Sequence, residues 1–276
     1  MIPEHVTPVL AAAGTIELIL IFAGIVVWWR MGRPRPPRLA PWSISVSDFL
    51  TCVLAVIGGG YFFQLLGHAI GDPFLRKFSA ASDARTIVYG TAFQLGLLAG
   101  LAGARVYLRT RPEAAEVPTS PPRMPSLPVA GLVTFLAVLP AVTVTGLAWS
   151  WIIQLLGLPP EPQDLVDMFA HPQSRTSFIV LFVLATVGAP IVEELVFRAG
   201  LFRYLRTRLP RWAALSLPAL FFASLHGNWA SLGPIAMLAI IFSLAYERTG
   251  RIGVTMIAHG LFNLNTILLV LAGMRA

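Results

Sequence analysis

Eight apolar runs dominate this sequence, each close to the roughly 20 residues that an α-helix needs to cross a bilayer. The chain has 276 residues, of which 56% are hydrophobic and 12% charged, and its mean hydropathy is +0.75. Because soluble domains do not have this composition, the sequence predicts an all-α, polytopic membrane bundle of about eight transmembrane helices. The predicted spans are residues 8–29, 48–70, 86–108, 129–156, 178–202, 212–226, 232–246 and 252–271.

Two proline-rich segments, Arg30–Pro41 and Arg109–Pro128, separate the first four runs. The second is the clearest internal boundary, so we predict N-terminal membrane helices over residues 1–128 and a five-span core over 129–276. The first run lacks the basic start and cleavage site of a secretory signal, so we expect a retained helix. Small residues in the third span, Gly96, Gly100 and Gly103, predict close helix packing.

Arginines cluster after every second span, and the alternate loops contain few of them. The net charge is +7 and the only cysteine is Cys52, which excludes an intrachain disulfide. Positive loops mark the cytoplasmic side of a membrane protein, so we expect the arginine-rich loops in the cytoplasm and no nucleic-acid partner. The clustered arginines are Arg30, Arg33, Arg35, Arg38, Arg105, Arg109, Arg111, Arg123, Arg203, Arg206, Arg208, Arg211, Arg248 and Arg251.

The fifth span contains two adjacent carboxylates and an arginine: Glu193, Glu194 and Arg198. Ionisable groups at bilayer depth are costly, and they usually mark a functional site. Residues four apart share one face of an α-helix, so Glu194 is predicted to pair with Arg198. Glu193 then points elsewhere without a local cation, as a general base would. The alternative is an ion cluster that only holds helices together.

Two histidines lie in the C-terminal spans, where they add candidate catalytic groups. His226 follows Phe222 by one helical turn, and Asn263 follows His259 at the same interval. A histidine offers a general acid or base, and an asparagine amide is a hydrogen-bond donor for a developing oxyanion. These residues, together with the acidic motif, predict a catalytic site.

The three motifs, Glu-Glu-x-x-x-Arg at 193–198, Phe-x-x-x-His at 222–226 and His-x-x-x-Asn at 259–263, occur in this order. In that order they resemble the CPBP family, the CAAX-protease and bacteriocin-processing (Abi) intramembrane glutamic endopeptidases. The resemblance covers about residues 177–272.

The resemblance implies a glutamate-dependent endopeptidase that cleaves a membrane-proximal protein or peptide in the bilayer and needs no cofactor or metal. Glu193 and His226 would activate water, His259 and Asn263 would stabilise the oxyanion, and the remaining motif residues would support the site. Those supporting residues are Glu194, Arg198 and Phe222. The resemblance also implies a bacterial inner membrane.

Two other functions fit the same residues. Glu193, His226 and His259 are a plausible although incomplete zinc ligand set, which would make the chain a metalloprotease. Buried carboxylates and histidines also build proton relays in transport proteins, and an immunity or scaffold protein needs no catalysis. Glu17, in the first span, either approaches the site or pairs with a polar group on a neighbouring helix. The sequence does not select a substrate or an oligomeric state.

Overall fold

The computed structural model describes residues 7–31, 38–75, 81–111, 125–158, 164–172 and 174–274. Within these ranges every regular element is helical, so the predicted all-α fold class is confirmed. Parts of both predicted linkers, residues 32–37 and 112–124, lie outside the described ranges. The helices are α1 (Pro8–Met31), α2 (Val46–Leu75), α3 (Ala81–Arg109), α4 (Leu127–Leu155), α5 (Asp164–Ala170), α6 (Arg175–Arg206), α7 (Arg211–Ser224), α8 (Trp229–Thr249) and α9 (Ile252–Leu271).

Among the described residues, seven helices are long and apolar enough to cross a membrane: α1 to α4, α6, α8 and α9. The chain is an integral membrane protein. Helix α7, which occupies the sixth predicted span, has 14 residues. At 1.5 Å per residue it is about 21 Å long, which is less than the hydrocarbon thickness of about 30 Å. The predicted all-α membrane bundle is therefore confirmed. Of the eight predicted spans, seven are long enough to cross the membrane and α7 is too short.

The helices form two compact units that alternate along the chain. Unit 1 comprises Met1–Leu39, Arg123–His171 and Pro210–Ala276, and unit 2 comprises Ala40–Pro122 and Pro172–Leu209. Unit 1 thus contains α1, α4, α5, α7, α8 and α9, and unit 2 contains α2, α3 and α6. The predicted boundary at residue 128, between N-terminal membrane helices and a C-terminal core, stays a prediction.

In unit 1, α4 packs against α1, α8 and α9. Two tryptophans fix these contacts through indole N–H groups that donate to backbone carbonyls. Trp28 of α1 donates to Ala137 at 2.7 Å, and Trp149 of α4 donates to Trp229 at 2.7 Å. These bonds satisfy polar groups that would be costly in lipid.

The arginine-rich segments of unit 1 meet at one end of it. Arg211, at the start of α7, forms an ion pair with Glu247 near the end of α8, and its Nη2 atom is 2.7 Å from Glu247 Oε2. The hydrogen bonds that the Arg211 side chain donates to Glu247 raise the pKa of Arg211. The Glu247 carbonyl accepts the backbone N–H groups of residues 38–39, and Arg251 donates to the Pro125 carbonyl at 3.0 Å. This grouping agrees with the predicted alternation of spans, although the side it faces stays a prediction.

In unit 2, glycines bring α2 and α3 together along their length. A Cβ added to Gly59 would lie 2.6 Å from the Gly96 carbonyl oxygen, and one added to Gly100 would collide with the backbone at Val56. The expected close packing is therefore confirmed for Gly96 and Gly100. It is wrong for Gly103, whose added Cβ would meet no heavy atom within 4 Å.

The chain entering α2 runs beside the C-terminal end of α6. Arg208 donates to the Ile44 carbonyl, and the Arg203 guanidinium lies over the Trp42 ring at 5.5 Å. Tyr204 stacks on Phe49 with ring centroids 3.5 Å apart. These contacts fix the arginine-rich end of the helix that holds the two glutamates.

Candidate active site

Helix α6, which carries the glutamates, is irregular. Its N-terminus is capped by Ser174, whose hydroxyl oxygen accepts the backbone N–H of Ser177 at 3.0 Å. Two π-helical segments, Leu184–Gly188 and Glu194–Phe202, flank the short α-helical segment Ala189–Glu193. π-helical turns often mark functional sites, and here both glutamates lie at the junction where one such segment begins.

Glu194 and Arg198 form a buried ion pair. The Arg198 Nη1 atom is 3.0 Å from Glu194 Oε1, and the two side chains are 1% and 0% exposed. The pairing predicted from the four-residue spacing is confirmed. Because such a pair is removed from water, each charge depends on the other to offset its desolvation.

Glu193 is half-buried and lies one residue before this pair. Its charge also acts on Arg198, so the expectation that Glu193 has no local cation is wrong. An α-helix places residues five apart on different faces, whereas a π-helix has i→i+5 hydrogen bonds and wider turns. The wider π-helical turn therefore changes which residues of this segment share a face with Glu193.

His226 lies just beyond the end of α7, in the turn that leads to α8. Gly227 makes this turn possible with φ +63°, and Asn228 caps α8 by accepting the Ser231 N–H at 2.9 Å. The His226 Nδ1 atom is 2.9 Å from the Phe222 carbonyl oxygen. Because a carbonyl only accepts, Nδ1 carries the proton, and the neutral ring keeps a lone pair on Nε2. His226 is therefore oriented to accept a proton at Nε2.

His259 of α9 is buried, with 4% of its surface exposed. Phe222 of α7 lies edge-on to its ring at a centroid distance of 6.3 Å, and Phe242 of α8 lies at 5.3 Å. Phe222 also packs edge-on against His226 at 4.8 Å. Phe222 thus contacts both histidines within unit 1, and its supporting role stays a prediction.

Asn263 is half-buried and lies one turn after His259 within α9. The regular helix keeps these side chains on one face, as the spacing predicts. Two residues further on, the Asn265 amide donates to the Glu17 carboxylate of α1 at 2.9 Å. Glu17 thus forms the alternative contact predicted for it, with a polar group on a neighbouring helix.

The predicted residues fall in both units. Glu193, Glu194 and Arg198 belong to unit 2, and the residues of the two histidine motifs belong to unit 1. Within each unit, the described residues contain no group of three or more His, Cys, Asp or Glu side chains that suits a metal ion. The assignment of catalytic roles to these residues stays a prediction.

Sequence reasoning missed three contacts around these residues. Phe242 lies beside His259, and Asn265 is bonded to Glu17. Neither Phe242 nor Asn265 belongs to a motif that distinguishes it from other residues of its type. Gln94 of α3 lies against α6 at Gly188. The only signal in the sequence was that Gln94 is a polar residue inside an apolar span.

All seven predicted site residues fall within a segment that matches a known family. Residues 175–265 match the model described as type II CAAX prenyl endopeptidase Rce1-like. This segment is similar to that family, and the predicted resemblance is confirmed. The Rce1-like segment begins with α6 and extends into α9, so helices α1 to α4 lie outside it.

The chain is also similar to a curated protein. The UPF0177 protein YbdI of Lactococcus lactis subsp. lactis (strain IL1403) is 31% identical over 90 residues, which is 32% of this chain and 48% of the relative. The chain therefore spans about half the length of this relative. No solved structure matches the chain.

Proposed function

We propose that this protein is an intramembrane endopeptidase that hydrolyses a peptide bond in a membrane-proximal protein or peptide. The family match points to a CAAX protease-type hydrolase. The observation that supports the finer proposal most is the half-buried Glu193 beside the buried Glu194–Arg198 pair, inside the Rce1-like segment.

In the proposed reaction, Glu193 acts as general base and removes a proton from water. The water oxygen forms a bond to the carbonyl carbon of the scissile peptide, whose oxygen becomes an oxyanion. His226 holds the same water through Nε2, the ring nitrogen that its contact with the Phe222 carbonyl leaves available. The carbon–nitrogen bond then breaks, and the proton held by Glu193 passes to the leaving amine.

His259 and Asn263 are the proposed donors to the oxyanion. Their supporting observation is the shared face of α9, which would present two donors to one oxygen atom. The aromatic rings around His259 limit its motion and exclude water from its flanks. Glu194 and Arg198 are proposed to set the electrostatics around Glu193 without contacting substrate.

We also propose that the protein lies in a bacterial inner membrane, with its arginine-rich helix ends in the cytoplasm. Glu193 lies within α6, ten residues before Arg203, where the arginine-rich end begins. At 1.5 Å per residue this corresponds to a depth of about 15 Å. The proposed base would then lie near the middle of the hydrocarbon core, which is about 30 Å thick.

The deciding experiment measures cleavage of a reporter membrane substrate by purified protein in lipid. We expect Glu193→Gln to lower kcat by about 100- to 10,000-fold, the range typical of a lost general base. Glu17→Gln is the matched control, because Glu17 is also a carboxylate in an apolar helix but is bonded to Asn265. This control should retain activity.

A double variant tests whether the two proposed water-activating residues act together. If Glu193 and His226 act on one water, Glu193→Gln/His226→Ala should be hardly slower than the worse single variant, since residues of one catalytic unit are not additive. Multiplicative losses would argue against a shared water. Activity abolished by a chelator and restored by zinc would instead assign a metalloprotease. Full activity in Glu193→Gln would refute the glutamate mechanism.

A further inference from the structure

The C-terminal end of α3 carries two pairs of residues that point in opposite directions. Tyr107 and Arg111 face α2, where the Tyr107 hydroxyl donates to Asp48 Oδ1 at 2.6 Å and Arg111 Nε lies 3.4 Å from the same atom. Arg105 and Arg109 each lie two residues from Tyr107. Two residues correspond to a rotation of about 200° on an α-helix, so these two arginines lie on the face of α3 that is turned away from α2.

These two arginines are exposed, and neither forms a hydrogen bond or an ion pair within the described ranges. By contrast, Arg203 and Arg208 at the end of α6 donate to backbone carbonyls of the chain that enters α2. The Asp48 carboxylate is likewise occupied, by the opposite face of α3. Residues four apart are neighbours on a helix surface. Arg105 and Arg109 therefore offer two adjacent positive charges to an anion.

The two arginines end a strip of α3 whose other end is covered by α6. Gln94 lies against α6 at Gly188, where an added Cβ would be 3.3 Å from the Gln94 Oε1 atom. Arg105 follows eleven residues later, which is three helical turns and about 20°, so it lies on the same face. Between them this face is formed by Leu98 and Leu101, which are half-buried. These two leucines and the two arginines are the α3 strip.

The dimensions of the α3 strip match one leaflet of a bilayer. From Gln94 to Arg105 the helix rises by about 16 Å at 1.5 Å per residue, which is half of a hydrocarbon core about 30 Å thick. Leu95 and Val106, beside the strip, are 52% and 62% exposed, so apolar surface continues around it. The strip thus presents apolar surface over the depth of one leaflet and positive charge at the level of the headgroups.

We propose that the α3 strip binds an anionic phospholipid of the leaflet at the arginine-rich end of unit 2. The guanidinium groups of Arg105 and Arg109 hold its phosphate through charge-assisted hydrogen bonds, and an acyl chain lies along Leu98 and Leu101. A phospholipid fits better than a soluble anion, because the strip carries its apolar and cationic parts in the order in which a lipid carries its chains and its headgroup. This site lies outside the Rce1-like segment and does not depend on the proposed peptidase function.

The test measures which lipid lies against the strip, in nanodiscs that contain the full chain. In a Cys52→Ala background, a fluorophore attached at Ala102→Cys, beside the strip, is quenched by lipids with brominated chains. With an unchanged strip, we expect brominated phosphatidylglycerol to be preferred over brominated phosphatidylcholine by about 25-fold, because each arginine near an anionic headgroup contributes about fivefold. This preference should be lost in Arg105→Gln/Arg109→Gln.

The matched control is Arg85→Gln/Arg175→Gln, which removes two exposed arginines of unit 2 from the starts of α3 and α6. It lowers the net charge by the same amount and should leave the lipid preference within about twofold of the unchanged protein, because neither arginine belongs to the strip. Arg105→Lys/Arg109→Lys, which keeps both charges, should retain most of the preference. Thermal unfolding in detergent shows which variants are folded.

A folded control that loses the preference as fully as Arg105→Gln/Arg109→Gln would reduce the effect to net charge and overturn the proposal. An unchanged strip that does not distinguish the two lipids would also overturn it. Displacement of phosphatidylglycerol by millimolar inorganic phosphate would instead show a site for soluble anions. A preference that appears only after Glu113→Gln/Glu116→Gln would assign both arginines to carboxylates of the linker. These outcomes are read from lipid binding, so they leave the cleavage assay of the proposed function unaffected.

Discussion

The buried ion pair of α6 gives the sharpest test of how this helix is stabilised. At 3.0 Å the attraction between Glu194 and Arg198 is about 5 kcal/mol for an effective dielectric constant near 20. Most of this offsets the desolvation of the two charges. Arg198→Met therefore removes the compensation and leaves a fully buried carboxylate, which should destabilise the protein by about 3–5 kcal/mol.

The assay is thermal unfolding of purified protein in detergent, where this loss corresponds to a Tm lower by about 6–20 °C for a chain of this size. The double variant Glu194→Leu/Arg198→Met removes both charges and should be more stable than Arg198→Met alone. Arg111→Met is the control: its ion pair with Asp48 spans 3.4 Å and its side chain is 48% exposed. That control should lose at most about 1 kcal/mol. An Arg198→Met protein within 1 kcal/mol of wild type would refute the reasoning, because the pair would then be hydrated.

Three further outcomes are expected. Asn263→Ala should lower kcat by about 100- to 1,000-fold through loss of an oxyanion donor. Single-turnover cleavage would measure this rate, and an unchanged rate would show that Asn263 is not part of the catalytic site. Gly59→Ala should destabilise the fold by about 1–3 kcal/mol through overpacking, whereas Gly103→Ala should not. Equal Tm values for the two variants would contradict the close packing of α2 on α3. In a cysteine-free background, His171→Cys should react with an impermeant thiol reagent from outside the cell and Arg248→Cys should not, since exposed His171 lies in the arginine-poor loop before α6 and Arg248 lies at an arginine-rich helix end. The reverse pattern would invert the proposed orientation.

Hydropathy and residue spacing were sufficient to predict the all-α fold and the Glu194–Arg198 pair. They also placed the sixth span to within two residues at each end, since residues 212–226 were predicted and α7 runs from Arg211 to Ser224. Gly227 adopts a positive φ there, so α7 stops at Ser224 and His226 lies in the following turn. His226, Gly227 and Asn228 interrupt the apolar run at this point.

The relation between Glu193 and Arg198 could not be predicted because regular α-helical geometry was assumed. π-helical turns depend on tertiary packing, and their sequences resemble those of ordinary helices. The contact between Gln94 and Gly188 was missed for a similar reason, since the two residues are distant in the chain. Motif spacing reports only contacts within one helix.

The carbonyl of Glu247, which accepts the N–H groups of residues 38 and 39, has a consequence for biosynthesis. The segment after α1 emerges from the ribosome long before its acceptor, and at 5–20 residues per second the delay is roughly 10–40 s. During this time the whole of unit 2 has been synthesised, while unit 1 still lacks its last helices. Nascent α1 and α4 must therefore remain in the bilayer without α8 and α9, the two later helices that pack against α4.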